Sequence, residues 1–512
     1  MLTETVVHLK VRQIFGQVWN RLYRPRFVSV SPLTTGQQIE IESPIGKPRC
    51  LHGDAFTFIN ITDTFRDWNM GEHGALWTYN LNYMDWLCQE GITEEEGLRW
   101  IDRFIDELPD NCVGLDPYPI ALRIINWAKF FACHSEHRTK KRLTSMYAQT
   151  ILLSRSLEYH LLGNHLLEDG YALFIASIFF DDMKLYHKAE RLLLSQLKEQ
   201  ILPDGAHYEQ SPMYHCIMLD RLLDCINFSG NNVLFDGQSA FTNFLCEKAC
   251  AMLGHLQSII YTDGTIPLFN DSAYGIAPTS TQLFQYAKKL GLSWETIPLN
   301  ECGYRKLVHG NIEALADIGN ITANYQPGHS HADTFNYELR IDGYPIIVDT
   351  GISTYNKNDR RQYERSTCAH NTVTVNNMNS SQVWGGFRLG KRARVSILED
   401  TPQNILASHN GFGNNTVHQR KFSFNGNSFS VEDKIIEGAT NAISYIHFAP
   451  NLHVQIASLE DGIIKIGNTI MKIEHFRDIT LCNNYVSTEY NRLRSSYVLE
   501  ISFIKHLKYT IG

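Results

Sequence analysis

The spacing of apolar residues divides the chain into a helical first part and a β-rich second part. Before about residue 310 apolar side chains recur every three or four positions, which predicts helices at 93–108, 138–158, 186–202, 212–226, 240–259 and 281–290. Thr93 and Glu96 have capping-box spacing at the start of the first helix, and Ser211 before Pro212 is typical of another helix start. After residue 310 the apolar period changes to two.

The period-two pattern predicts an antiparallel β structure. Phe335, Tyr337, Leu339 and Ile341 alternate with polar residues, and Asp342-Gly343 then forms a hairpin signal. Further short β-type runs are Thr372–Val375, Ala393–Leu398, Lys421–Phe424, Ser428–Val431 and Ile464–Ile466. We therefore predict an α+β multidomain protein, with an all-α layered or toroidal domain at residues 1–310 and a sandwich of two antiparallel sheets at residues 311–512. A cleft between the two is the expected place for a site.

Composition narrows the classes of protein. With 512 residues, 43% of them hydrophobic and 20% charged, the chain is too apolar to be disordered and long enough for two or three domains. A net charge of −8 argues against nucleic-acid binding, although a local basic cleft could still hold an acidic ligand.

Cellular location follows from the cysteines and the apolar stretches. Eleven cysteines without a CxxC pair indicate reduced thiols. The N-terminus lacks the pattern of a secretory signal, and the apolar stretch 170–180 is too short to cross a bilayer. We expect a soluble cytoplasmic protein without a transmembrane segment, with the periplasm as the less favoured location.

Two clusters in the helical part could carry chemistry. Gly163-Asn164-His165 interrupts an apolar stretch, either as a helix C-cap or as an amide and imidazole that bind a carboxylate. Tyr214 and His215 fall in the first turn of a predicted helix, where positive potential favours an anion such as a phenolate. The alternative for Tyr214 is a packed, hydrogen-bonded tyrosine.

Two more clusters lie in the β-rich part. His329 and His331 flank Ser330, so on an extended segment their side chains point to opposite sides, one toward a cleft and the other toward a metal or the core. With Asp349 and His370, a His/Asp/His metal set can be assembled, although the spacing matches no finger-type motif. A basic group forms either a solvated face or a wall for a polyanion: Arg360, Arg361, Arg365, Arg388, Lys391, Arg392 and Arg394.

Together these segments resemble the heparinase II/III-like family of polysaccharide lyases. The resemblance extends over about residues 75–395 and rests on Leu76–Leu87, Pro117-Tyr118-Pro119 followed by Arg123, Asn126 and Trp127, Gly163–His165, Ser211–His215, Pro267–Asp271, Gly328–Asp333 and Ala369–Val373. It implies an incomplete α/α toroid followed by an antiparallel β-sandwich. It also implies β-elimination on a uronic-acid-containing polysaccharide or oligosaccharide, such as a glycosaminoglycan, which leaves a C4–C5 unsaturated uronate.

The resemblance implies a role for each site residue. Asn164, assisted by His165, neutralises the uronate carboxylate. Tyr214 is the catalytic acid, and also the base if cationic neighbours favour its phenolate, while His329 is the partner base. His331, Asp349 and His370 hold a structural divalent metal, expected to be zinc. Substrate contacts are expected from Asn80, Asn82, Tyr83, Tyr118, Arg123, His215, Arg365 and Arg388, where Asn82 replaces a histidine of the family.

Two other functions remain open. One is a glycoside hydrolase on the same toroid, with Asp204, Glu209, Asp263 or Asp271 as its carboxylates. The other is a non-catalytic protein that binds or assembles a surface polysaccharide. Replacing Tyr214 by Phe discriminates between lyase and hydrolase, because only the lyase needs the phenol.

Overall fold

The first part of the chain is built mainly from helices. A computed structural model describes residues 2–23, 25–32, 38–413, 415–438 and 441–512. Its helices up to residue 290 are α1 Leu2–Val6, α2 Val11–Leu22, α3 Ala75–Tyr83, α4 Glu94–Glu107, α5 Pro117–Cys133, α6 Lys140–Arg155, α7 Gly163–Phe179, α8 Met183–Gln200, α9 Pro212–Asn231, α10 Gln238–Ile259 and α11 Ser280–Lys289. The Thr93 side chain accepts a hydrogen bond from Glu96 N at 3.1 Å, which confirms the predicted cap.

The pattern of apolar residues did not predict five of these helices, namely α1, α2, α3, α5 and α7. Nearly every side chain of α7 is buried, and it packs against α5, α8 and α9. A helix that is buried on all faces has no polar stripe, so a search for amphipathic spacing passes over it. Gly163 begins α7, so the structure contradicts its interpretation as a C-cap.

Three short strands lie inside the part predicted to be all-α. They are β1 Leu51–His52, β2 Ala55–Phe58 and β3 Ile61–Thr64, and they form one antiparallel sheet. Phe56 and Phe58 are buried against the tryptophans of the helical part; the Phe58 and Trp77 rings are 5.3 Å apart. These strands are two to four residues long, which is too short for an alternation of apolar and polar residues to predict them.

The second part consists of antiparallel sheets. Its strands are β4 Tyr304–His309, β5 Ile312–Asp317, β6 Tyr337–Ile341, β7 Tyr344–Ile347, β8 Val373–Val375, β9 Val383–Trp384, β10 Arg388–Leu389, β11 Val395–Asp400, β12 Asn404–His409, β13 Val417–Asn425, β14 Ser428–Ile436, β15 Ala442–His447, β16 Val454–Ser458, β17 Ile463–Ile466, β18 Thr469–Glu474, β19 Asp478–Glu489, β20 Arg492–Phe503 and β21 His506–Ile511, with one helix, α12 Asp359–Glu364. The sheet orders are β4-β5-β6-β7, β19-β20-β15-β8, β11-β12-β13-β14-β21-β18-β17-β16, and the pair β10-β9.

Three of these sheets share a single hydrophobic core. Leu339 from β6, Phe422 from β13 and Leu499 from β20 belong to the same buried cluster. The hairpin predicted at Asp342-Gly343 is confirmed, because both residues have positive φ angles between β6 and β7. The division of the chain at residue 310 stays a prediction.

Among the described residues no helix combines the length and the apolar character that crossing a bilayer requires.

Candidate active site

Tyr214 and His329 meet where the two parts of the chain face each other. Ser211 caps α9 by accepting a hydrogen bond from Tyr214 N at 3.2 Å, which confirms the predicted cap and fixes Tyr214 in the first turn. The Tyr214 ring stacks on the His329 ring with centroids 3.9 Å apart. The Tyr214 hydroxyl lies 3.2 Å from that of Tyr355.

His329 is held in one tautomer by its neighbours. Its Nδ1 lies 2.9 Å from Asp271 Oδ2, and its Nε2 lies 3.2 Å from Asn164 Nδ2. A carboxylate only accepts and an amide NH₂ only donates, so Nδ1 carries the proton and Nε2 keeps its lone pair. His329 therefore presents an unprotonated nitrogen toward Asn164.

Asn164 is fixed at the start of α7 by Glu209. The Asn164 backbone N donates to Glu209 Oε1 at 2.8 Å, and Nδ2 donates to Oε2 at 2.9 Å. Gly163 precedes it with φ +61°, and a Cβ there would lie 2.5 Å from Glu209 Oε1, so only glycine fits. The Asn164 amide therefore lies between a carboxylate and the His329 lone pair.

His165 lies on the same turn and is suited to carry positive charge. Its Nδ1 lies 2.9 Å from Glu158 Oε2, and its ring centroid lies 4.6 Å from that of Tyr118. Burial alone would lower the pKa of His165, but Glu158 and more distant carboxylates outweigh it and raise that pKa. A raised pKa keeps the imidazolium populated, as pairing with a substrate carboxylate requires.

Tyr214 is held in its protonated form. Burial is the main cause that raises its pKa above the ordinary value for a phenol, and Asp271 and Glu209 add to the rise. Tyr355 and Arg361 act in the opposite direction but do not compensate. In the resting site Tyr214 is therefore a proton donor.

Asp271 is the centre of the charge network behind the Tyr214 and His329 rings. It accepts from Arg361 Nη1 at 2.5 Å and Nη2 at 2.8 Å, and from His331 Nε2 at 2.8 Å as well as from His329. Burial would raise its pKa, but the Arg361 charge and the two histidine hydrogen bonds hold the pKa of Asp271 well below its usual range. Asp271 therefore stays ionised and orients His329.

Tyr214 opens into a cavity that both parts of the chain line. Of the predicted substrate contacts, Asn80, Tyr83 and Tyr118 lie on its wall. Tyr355, Tyr490 and Arg221 complete the same wall. The structure thus brings three predicted contacts into the space beside Tyr214.

Four other predicted substrate contacts are buried, so those predictions are corrected. Asn82 bonds to Trp68 O and Thr78 O, Arg123 to Gln149, Asn82 O and Gly114 O, His215 to Met252 O and His207 N, and Arg365 to Ser330 O and Arg388 O. All four are 2% exposed or less. Their polar atoms are occupied by the protein, and in this structure they position backbone segments.

The basic group of the β-rich part is likewise not one continuous wall. Arg361 and Arg365 are fully buried, and Arg361 neutralises Asp271. Arg388 is exposed and lies over the Trp384 ring at 4.8 Å, away from the Tyr214 cavity. Lys391, Arg392 and Arg394 line a separate surface groove.

The predicted metal ligands form a buried cluster behind His329. His331 donates to Asp271 through Nε2, and His370 lies 2.8 Å from Asp349 Oδ2 through Nδ1. The other nitrogens, His331 Nδ1 and His370 Nε2, are buried without a hydrogen-bond partner, and the two ring centroids are 5.2 Å apart. A carboxylate on one nitrogen and an unpartnered lone pair on the other is the arrangement of metal-ligating histidines, so the two imidazoles fit a metal.

The carboxylates of this cluster do not match the predicted metal set, in which Asp349 is a ligand. Asp349 accepts from His370, from Asn336 Nδ2 at 2.5 Å and from Gly351 N at 2.8 Å. The unpartnered buried oxygen belongs to Asp333 Oδ2. Asp349 thus orients His370.

Sequence reasoning did not assign catalytic positioning to Glu209, Asp271, Arg361 or Tyr355. Asp271 and Glu209 were considered only as hydrolase carboxylates, and Arg361 only as part of a charge run. A charge run gives no indication that one arginine is buried against a carboxylate ninety positions away. Tyr355 is one of 24 tyrosines and carries no distinguishing local pattern.

Two family models match the chain. The heparinase II/III N-terminus matches residues 121–290, and the heparinase II/III-like, C-terminal region matches residues 293–504. Together they extend through α5 to α11 and nearly all of the β-rich part.

The relatives and solved structures that are similar to this chain carry the names of heparinases and related lyases. A heparin-sulfate lyase of Bacteroides stercoris is 22% identical over 325 residues, which are 58% of this chain and 46% of that protein. The chain therefore spans about half the length of this relative. A crystal structure of heparinase III is similar with a TM-score of 0.67 at 15% identity, over 98% of this chain and 84% of that one. A Streptomyces coelicolor A3 chondroitin AC lyase in complex with chondroitin sulphate gives a TM-score of 0.54 at 9% identity, over 86% and 74%.

Proposed function

The chain belongs to the heparinase II/III family, and from this premise we propose that it is a polysaccharide lyase that cleaves a uronic-acid-containing polysaccharide or oligosaccharide by β-elimination. We also infer that its helical part forms the incomplete α/α toroid of the family and that its sheets form the family's β-sandwich. The named relatives act on heparin sulfate and on chondroitin sulphate, so a glycosaminoglycan-like acidic polymer is the substrate class.

The contacts that His329 makes with Asn164 and with Tyr214, which lines the cavity, are the observation that carries this proposal. β-Elimination at a uronate requires a group that neutralises the carboxylate, a base for the C5 proton and an acid for the departing C4 oxygen. It requires neither a nucleophile nor an attacking water. The three side chains supply one of these parts each.

The hydrogen bonds of His329 and the raised pKa of Tyr214 support one distribution of roles. Asn164 and His165 bind the uronate carboxylate, which acidifies the C5 proton. His329 Nε2 takes that proton, the C4–O bond breaks as the C4–C5 double bond forms, and the Tyr214 phenol protonates the leaving oxygen. Transfer of a proton from the His329 imidazolium back to the Tyr214 phenolate restores the resting site. Because the pKa of Tyr214 is raised, we favour Tyr214 as acid over Tyr214 as base.

The four carboxylates predicted for a hydrolase do not form a suitable pair. Asp271 is ionised and bound by Arg361, and Glu209 is bound by both donors of Asn164. Asp204 accepts from the backbone of Asn300 and Cys302, and Asp263 pairs with Arg340. A glycoside hydrolase needs one carboxyl group that can be protonated and act as general acid. It also needs a second carboxylate that activates water or acts as nucleophile.

Absorbance of the unsaturated uronate tests the proposal. We expect the protein to raise ultraviolet absorbance with at least one polymer among heparan sulfate, chondroitin sulfate, hyaluronan, alginate and bacterial capsular polysaccharides. Reducing ends that appear without this absorbance would instead establish hydrolysis. Binding of a polymer without either signal would establish the non-catalytic alternative.

We also propose that His331 and His370, with Asp333 or Asp349, hold a structural divalent metal, with zinc as the expected ion. Such a metal would fix the segment from which His329 projects, and it takes no part in proton transfer. The donor set of imidazole nitrogens and a carboxylate suits zinc.

Metal analysis of purified protein provides the measurement. We expect about one equivalent of zinc per chain, lost in the double variant His331→Ala/His370→Ala together with a lower melting temperature. His329→Ala is the matched control, because it removes a neighbouring imidazole that has no unpartnered nitrogen, and it should keep the metal. Wild-type protein without stoichiometric metal, or equal loss in the control, would contradict the assignment.

A further inference from the structure

Helix α2, Val11–Leu22, faces the protein with its polar side. Gln13 is buried, and its Nε2 donates to Leu161 O and to Tyr325 O, both at 3.2 Å. Gly16 lies against the backbone of Tyr159 and His160, where a Cβ would come within 2.8 Å of His160 N. Asn20 Nδ2 lies 3.4 Å from His160 Nε2. Positions 13, 16 and 20 share one face of a helix, so the docked face is small and polar.

The opposite face of α2 is apolar and exposed. Phe15 is 71% exposed and Leu22 80%, and Val11 and Val18 lie on the same face by helical spacing. Trp19 and Tyr23 are exposed beside it, as are Val6 and Val7 at the end of α1. A surface helix normally buries its apolar face. Here the orientation is reversed, which marks the outward face as an interaction surface.

The charges around this face favour an anionic partner. Glu4 is the only acidic residue among residues 2–32, whereas exposed basic side chains there include Arg12, Arg21 and Arg26. Arg155 and Lys188 line the groove alongside α2. The whole chain has a net charge of −8, so this end is locally positive within an acidic protein.

The side-chain types of this face favour a lipid surface over an acidic polysaccharide as the anionic partner. Valine, leucine and phenylalanine at the centre of the face bind hydrocarbon, and tryptophan, tyrosine and arginine at its edge suit the headgroup region. We infer that α2 is an interfacial helix that places the protein on an anionic phospholipid membrane.

This attachment has a consequence for the catalytic cleft. Leu161 precedes Asn164 by three residues, and Tyr325 precedes His329 by four, so α2 rests on both chain segments that lead to the site. A residue spans at most about 3.6 Å, so the Gln13 amide lies within about 18 Å of the backbone of Asn164 and of His329. A membrane-bound protein would therefore keep its cleft close to the lipid surface.

Vesicle sedimentation of the full chain tests the inference. We expect binding to vesicles of equal parts phosphatidylglycerol and phosphatidylcholine, weaker binding to phosphatidylcholine alone, and weakening by salt. Phe15→Glu/Leu22→Glu should lower the partition coefficient by at least about tenfold, because both apolar contacts are replaced by charges.

Val308→Glu is the matched control, since Val308 is 58% exposed on β4 in the other part of the chain, and it should bind vesicles as wild type does. Absence of vesicle binding by wild type, or equal loss in the control, would overturn the inference. Dimers that the double variant dissociates, or binding of an acidic polymer that it abolishes, without vesicle binding, would assign the face to a second copy or to the polysaccharide instead.

Discussion

Tyr214→Phe should abolish formation of the unsaturated product while leaving the fold intact. The phenol is the only group in the proposed mechanism that protonates the leaving oxygen, and loss of a positioned acid costs about 10²–10⁴-fold in rate. Its hydroxyl bonds only to the Tyr355 hydroxyl at 3.2 Å among the contacts described, so its removal should cost little stability. We expect kcat to fall about 10³-fold with little change in KM, measured by ultraviolet absorbance on the polymer that wild type cleaves.

Tyr147→Phe is the control for this experiment. The Tyr147 hydroxyl donates to Asp182 at 2.7 Å in the helical part, outside the cavity, so the same atom is removed without touching the site. It should retain wild-type kcat. If Tyr214→Phe keeps a tenth or more of the wild-type rate, Tyr214 is not the acid and the roles proposed here are wrong.

The side chains proposed to be catalytic could be predicted from the sequence because each belongs to a local pattern. Gly-Asn-His, Ser-Pro-Met-Tyr-His and Gly-His-Ser-His-Ala-Asp are contiguous segments, and the structure places His329 in contact with both Asn164 and Tyr214. The residues that orient them are distant in sequence from those they touch. Asp271 pairs with Arg361, which is ninety positions away in the sequence, and no local pattern near either residue indicates this ion pair.

The substrate contacts were harder to predict from the sequence, because several of the predicted side chains are buried. Arg123 and Arg365 belong to matching segments, and a positive charge is what an acidic polymer needs. The structure instead uses them to bind carbonyl groups, with Arg365 holding Ser330 O between the two histidines. Whether an arginine faces a cleft or the interior depends on tertiary packing. The spacing of residues along the sequence does not specify that packing.

Asp271→Asn should cost both activity and stability, for separable reasons. Asp271 accepts from four donors on Arg361, His329 and His331. An amide has one acceptor oxygen and its NH₂ group only donates, so His329 loses the partner that keeps its proton on Nδ1. We expect kcat to fall by about 10²–10⁴-fold, the range for loss of a positioned base. The buried Arg361 charge also loses its counterion, which costs about 3–5 kcal/mol of unfolding free energy.

The β-rich part contains a matched control for that result. Asp433 accepts from Arg420 Nε at 2.7 Å, Arg420 Nη2 at 2.8 Å and His418 Nε2 at 2.7 Å, and all three residues are fully buried. Asp433→Asn should destabilise the protein to a similar extent, yet leave kcat per folded molecule unchanged, because His418 takes no part in the reaction. Denaturant unfolding and the absorbance assay on both variants separate the two effects. Equal loss of kcat in both variants would mean that Asp271 acts only through stability, and would remove it from the orientation of His329.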